Sequence, residues 1–188
     1  MVRSSMKFFR RLALREDGAF QIEFAFAFPV LLLLSLGLFE FSLVAFDYQR
    51  AAEASRRAVR FVIIGNNIAN TARLLEDPPP VITCTSSGGV VSCDNASPST
   101  NADANFQTML ASMQEIFPPI GESNVRVTYE SADVGGPDQA GGIIPLVTIE
   151  VVGLQHKFAT GSLIGVSTME FPPFTTSVLG SGRTVNSV

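Results

Sequence analysis

Few side chains in this chain are of a type and spacing that could do chemistry. Two carboxylates, Glu23 and Glu40, bracket residues 24–39, which carry no charge. Two cysteines, Cys84 and Cys93, flank a Ser86-Ser87-Gly88-Gly89 turn signal between two short β-favouring runs. The one histidine, His156, stands beside Lys157. The sequence contains no Walker loop, G-x-S-x-G, H-E-x-x-H or EF-hand pattern. Two cysteines and one histidine cannot complete a four-ligand zinc site. His156, on an exposed-looking strand, reads as a solvated residue rather than a catalyst. The expectation is therefore no enzyme: no catalytic residue, no metal and no cofactor. What remains is electrostatics at an apolar boundary, from Glu23 and Glu40, and thiol pairing, from Cys84 and Cys93. C-x8-C is not a redox C-x-x-C spacing, so the pair reads as a structural disulfide of an extracytoplasmic compartment. Free thiols or intermolecular pairs are the alternative.

An apolar helix has to carry the two carboxylates. The apolar stretch 19–46 covers 28 positions, about 42 Å as a helix and enough to cross a bilayer core of about 30 Å. Pro29 lies inside it, which membrane helices tolerate better than soluble ones do. A charge near the bilayer centre costs about 2.5–3.5 kcal/mol or more. Both carboxylates are therefore expected at the edges, Glu23 at the inner boundary and Glu40 as a second membrane-edge carboxylate reaching headgroups or water. Only one stretch is long enough to span, so a multi-span protein is excluded. Hydrophobic residues make up 46% and charged residues 16% of the chain, against roughly 25% charged in soluble domains. That composition excludes simple disorder. The net charge of −4 advertises no nucleic-acid partner. The charge is uneven: residues 1–18 carry five basic and two acidic side chains, the remainder eight basic and fifteen acidic. Positive charge beside a span stays in the cytoplasm, which predicts a single pass with the N-terminus inside and the C-terminal bulk outside.

Beyond the span, residues 47–64 predict an amphipathic helix. Tyr48, Ala51, Ala52, Ser55, Ala58, Val59 and Val62 form one face, and Arg50, Glu53, Arg57 and Arg60 the other, with Glu53 and Arg57 as an i,i+4 pair. Residues 65–80 read as a linker ending in Pro78-Pro79-Pro80, followed by a head over 81–188. A hairpin-like loop pinned by Cys84 and Cys93 is expected first. A helix over 103–117 follows, with Phe106, Met109, Leu110, Met113, Ile116 and Phe117 on its apolar stripe. Strands are expected at Val125–Tyr129 and Val147–Val151, separated by a Gly-rich turn or mobile tip, with further strands at 155–160 and 168–179. Pro172-Pro173 is confined to an edge or bulge. The predicted fold class is α+β: a long N-terminal transmembrane helix continuing into an amphipathic helix, packed on a small antiparallel sheet head with one or two helices.

The segment Gly18-Ala19-Phe20-Gln21-Ile22-Glu23-Phe24 follows a basic leader and opens the apolar run. It resembles the processing site of type IV prepilins. The continuation EFAFAFPVLLLLSLGLFEFSLVAFDYQRAAEASRRAVRF is similar to TadE-like minor pilins, or pseudopilins, of tight-adherence (Flp-type) pilus systems. The likeness covers about residues 18–64. It implies cleavage by a prepilin peptidase between Gly18 and Ala19, so that 1–18 is a leader peptide and Glu23 becomes the fifth residue of the mature chain. Glu23 and Phe24 are then subunit-assembly residues, the carboxylate pairing with a neighbouring subunit's new α-amine. The implied partners are the prepilin peptidase, the major pilin and other minor pilins, the inner-membrane pilus assembly machinery and the lipid bilayer. The implied place is the inner membrane with a periplasmic head, and incorporation in the extracellular pilus. The implied role is assembly, initiation or tip formation of the filament. The alternative is an uncleaved single-pass envelope protein whose head binds a ligand or adhesion target.

Overall fold

The computed structural model describes residues 16–64, 67–135, 143–161, 165 and 167–180. The basic leader up to residue 15, the Gly65-Asn66 helix stop and the glycine-rich tip at 136–142 lie outside the described residues. Helix α1 runs over Glu16–Ile63 without a break at Pro29. The chain divides into two compact units at Leu43/Val44.

The first unit is helical and apolar on all sides. Phe20, Phe24, Leu31, Leu34, Leu38 and Phe39 are all more than half exposed, the pattern of a helix solvated by hydrocarbon rather than water. Its hydroxyls are satisfied locally: Ser35 Oγ donates to the Leu31 carbonyl and Ser42 Oγ to the Leu38 carbonyl, both at 2.8 Å. Neither hydroxyl then has to reach for water. By length and composition α1 is the one helix among the described residues able to cross a membrane.

The second unit is an α+β head. Its sheet has five antiparallel strands in the order β2-β1-β3-β4-β7. These are β1 (Ile82–Ser87), β2 (Val90–Asp94), β3 (Val125–Gly135), β4 (Ile143–Val151) and β7 (Phe174–Leu179). Strands β5 (Gln155–Lys157) and β6 (Thr168–Glu170) form a separate two-stranded ribbon. Helix α2 covers Ala102–Gln114. Alternation places Ile82, Cys84, Val125, Val127, Tyr129, Val147, Ile149 and Val151 in the core. The opposite face is polar. There Asp94, Thr83, Thr128, Thr148 and Ser177 stand in one row across all five strands.

The C-terminal part of α1 packs with its smallest side chains inward: Ala51, Ala54, Ser55 and Ala58 are all within 1% of full burial. Ser55 Oγ meets Thr176 Oγ1 of β7 at 2.8 Å. From α2, Phe106, Met109 and Met113 are fully buried. The apolar stripe expected at 103–117 is thus present, but the α-helix stops at Gln114. Ile116 and Phe117 both donate to the Met113 carbonyl, a tightened last turn, because Pro118 disfavours helical backbone in the residue before it. The strand expected over 168–179 is likewise split: Pro172 and Pro173 offer no N–H, and the chain passes from the ribbon to the main sheet there.

The segment read as a linker is partly built into the head. Ile68, Ala69 and Leu74 are buried, Ala72–Leu75 forms a 3-10 turn, and the Ile68 N–H donates to the Tyr129 hydroxyl at 3.0 Å. Burial pushes the Tyr129 phenol up to about 12. The arginine face of α1 is also rearranged. Glu53 pairs with Arg56 at 3.6 Å, whereas Arg57 reaches Glu115 beyond α2 at 2.7 Å. The closer carboxylate wins over the expected i,i+4 partner. Arg50 is no solvated residue: its Nε donates to the Ile116 carbonyl at 2.6 Å and its guanidinium lies 5.3 Å from the Phe46 ring centre.

Candidate functional site

Gly18 and Ala19 lie in the first turn of α1, which begins at Glu16. The first four N–H groups of a helix have no intrahelical partner, so this turn opens at the loss of few hydrogen bonds, each worth about 0.5–1.5 kcal/mol net. A glycine at its centre raises no side-chain barrier to extended backbone. Glu23 follows Ala19 by four residues on the same helix, which puts the two on one face a single turn apart. Glu23 is exposed. Phe24, next to it, is 56% exposed and stacks on Phe28 with ring centres 5.4 Å apart. Glu23 thus has an aromatic ladder beside it, at i+1 and i+5.

Glu40 lies seventeen residues beyond Glu23, about 26 Å along a helix. The interval is uncharged and close to the thickness of a bilayer core. Glu40 is 7% exposed, between Phe39 at 62% and Phe41 at 71%.

Cys84 and Cys93 are directly opposite on β1 and β2 and form a disulfide. It pins the hairpin expected there. Three further polar clusters were not foreseen. His156 is buried rather than solvated, and its Nδ1–H donates to Asp47 Oδ2 of α1 at 2.7 Å. Phe158 and Phe171 stand edge-on and tilted to its ring. The alternation at 155–157 puts His156 on the inner face, but nothing in the sequence identified Asp47, 109 residues away, as its partner. Glu122 collects the Ser86 hydroxyl at 2.7 Å, the Gly89 N–H at 2.9 Å and the Gln107 amide. The Ser86 bond, with those from Gly89 and Gln107, holds its carboxyl below the usual range against the opposing effect of desolvation. Asp103 Oδ1 accepts the Val91 N–H at 2.7 Å and ties α2 to β2. Each of these groups joins one element to another. Among the described residues no three His, Cys, Asp or Glu side chains are grouped to hold a metal ion.

No curated protein and no solved structure matches the chain. A match does exist to one family model. It begins at the glycine of the first turn and continues through the apolar helix into its small-residue face. Residues 18–60 match the model of the TadE-like protein family, so this stretch of the helix is similar to that family.

Proposed function

We propose that the chain is a TadE-like minor pilin or pseudopilin. A prepilin peptidase cuts it after Gly18, and the mature protein acts in assembly, initiation or tip formation of a tight-adherence pilus. The observation that carries this reading is the placement of Gly18, Ala19 and Glu23 within the first two turns of a spanning-length helix whose family match starts at residue 18. In this reading the basic leader holds the N-terminus in the cytoplasm. The peptidase draws the frayed first turn into its cleft and releases a chain of 170 residues beginning at Ala19.

Cleavage creates an α-amine with a reference pKa of about 7.7–8.0, one turn from the Glu23 carboxylate. At an apolar boundary each charge is costly alone. At about 4 Å and an effective dielectric of 20 the pair attracts by about 4 kcal/mol. Pairing with the amine of a neighbouring subunit sets the axial stagger as subunits leave the bilayer, with Phe24 packing at the same contact. The work is association, through the helix and the head.

Mass spectrometry of the protein from piliated cells tests this directly. A mature N-terminus at Ala19 is expected; an intact Met1 supports a permanently anchored envelope protein instead. Replacing Gly18 by Ala or a bulkier residue should accumulate precursor, and Glu23→Gln should leave cleavage intact while reducing fibre production. Wild-type fibre levels in Glu23→Gln would remove the assembly role.

A further inference from the structure

On the membrane-spanning reading of α1, the length of its apolar stretch sets where the chain leaves the bilayer. The apolar stretch from Ala19 to Phe46, interrupted only by Glu23 and Glu40, covers 28 residues, about 42 Å of helix, which equals a bilayer of about 40–45 Å with both headgroup layers included. Asp47 and Tyr48 therefore emerge at the outer headgroup level, where tyrosine is enriched. The head is fastened to these two residues. His156 of β5 bonds to Asp47 at 2.7 Å, and the Tyr48 ring lies 4.9 Å from Phe174 and 6.1 Å from Phe171. The β5–β6 ribbon and the corner after it are thus held within a side chain's length of the point where the chain leaves the lipid.

The surface at that point suits a headgroup layer. Met169 is directly opposite His156 and so shares its face of the ribbon. It is 37% exposed, and Pro172 and Pro173 next to it are exposed too. Lys157 and Glu170 occupy the ribbon's other face, across from Thr168 and Gln155. The charge facing the His156 ring from α1 is that of Asp47. We propose that the β5–β6 ribbon and its Pro172-Pro173 corner are a foot that seats in the headgroup layer of the bilayer spanned by α1.

The chain contains no tryptophan, so a single introduced one is a clean reporter. The full chain carrying Met169→Trp, Val90→Trp or Leu33→Trp is reconstituted in phosphatidylethanolamine/phosphatidylglycerol vesicles at high lipid excess. Emission is quenched with headgroup-nitroxide lipid, acyl-chain nitroxide lipid or aqueous acrylamide. Val90 is on the opposite edge strand of the sheet, four strand spacings, about 19 Å, from β7. The foot predicts that headgroup nitroxide lowers emission at 169 by about twofold, the effect of a position in the headgroup layer, and leaves residue 90 nearly unchanged. Equal quenching at 169 and 90 overturns it. So does an emission at 169 shielded from both acrylamide and lipid quencher, which means that protein covers the site. Leu33→Trp reports on the span alone. If acyl-chain nitroxide does not quench it, the membrane-spanning reading fails and takes the foot with it. If it is quenched and 169 is not, only the foot fails.

Discussion

Replacing Tyr129 by Phe isolates one hydrogen bond and one buried acid in a single change. Tyr129 has no exposed surface, and its hydroxyl is the acceptor for the N–H of Ile68, which is equally buried. Without it that N–H faces hydrocarbon, at about 1–3 kcal/mol. The shape of the ring is kept, so no cavity contributes. A second effect appears only in alkali. Tyr129 rises from 10.0 to about 12 in the folded head, so between those values the unfolded chain has lost a proton that the folded chain retains. Stability is fully present below pH 10 and falls as pH rises through about 12, by roughly 3 kcal/mol. The variant has no such group. Denaturant unfolding of the full chain in detergent, followed by circular dichroism, should show Tyr129→Phe less stable at pH 7. The gap should close between pH 10 and 12 as the wild type loses stability faster. In a Tyr48→Phe background, tyrosinate absorbance near 295 nm should rise in one step centred near pH 12. Parallel stability curves for wild type and Tyr129→Phe from pH 10 to 12 would refute the reasoning.

Arg50→Ala should destabilise the head by about 1.5–3 kcal/mol, the range for a hydrogen bond to a charged group, whereas Arg57→Ala should cost about 1 kcal/mol or less because its pair with Glu115 is solvent-exposed; thermal melts compare them. Glu122 is held below its ordinary 4.5, so its contribution is present above that value and lost as pH falls through the lower folded one. Glu122→Gln should flatten this acid limb and lower the neutral-pH melting temperature by about 2–4 °C. Replacing both Cys84 and Cys93 by Ser should cost about 2–3 kcal/mol on the loop-entropy account, and reducing agent should bring the wild type to the same melting temperature while leaving the double variant unchanged.

The parts of the fold that repeat with a period were legible in the residues. The apolar run, the small-residue face at Ala51, Ser55 and Ala58, the stripe of α2 and the alternation at Val125–Tyr129 and Val147–Val151 each follow from one local spacing. What was not legible depends on residues far apart in the chain. Burial of His156 is decided by Asp47, the fate of Arg57 by Glu115, and the docking of Ile68 by Tyr129. Locally each of these looked solvated or loosely linked, because a short window cannot show which distant group will displace water. Proline bounded elements more tightly than the apolar pattern did, cutting α2 at Gln114 and dividing the last strand region in two. The Gly18–Glu23 pattern is of the opposite kind, wholly local: a glycine and a carboxylate five residues apart at the start of an apolar helix.

The cross-link between β1 and β2, buried at Cys84 and half-buried at Cys93, also bears on which side of the membrane the head matures. It joins the sheet's outermost strand to its neighbour, and thiols stay reduced in a cytosol. A head oriented outward, as proposed here, acquires its last fastening only after translocation. On that reading a copy left on the cytosolic side keeps both thiols reduced and its edge strand unfastened.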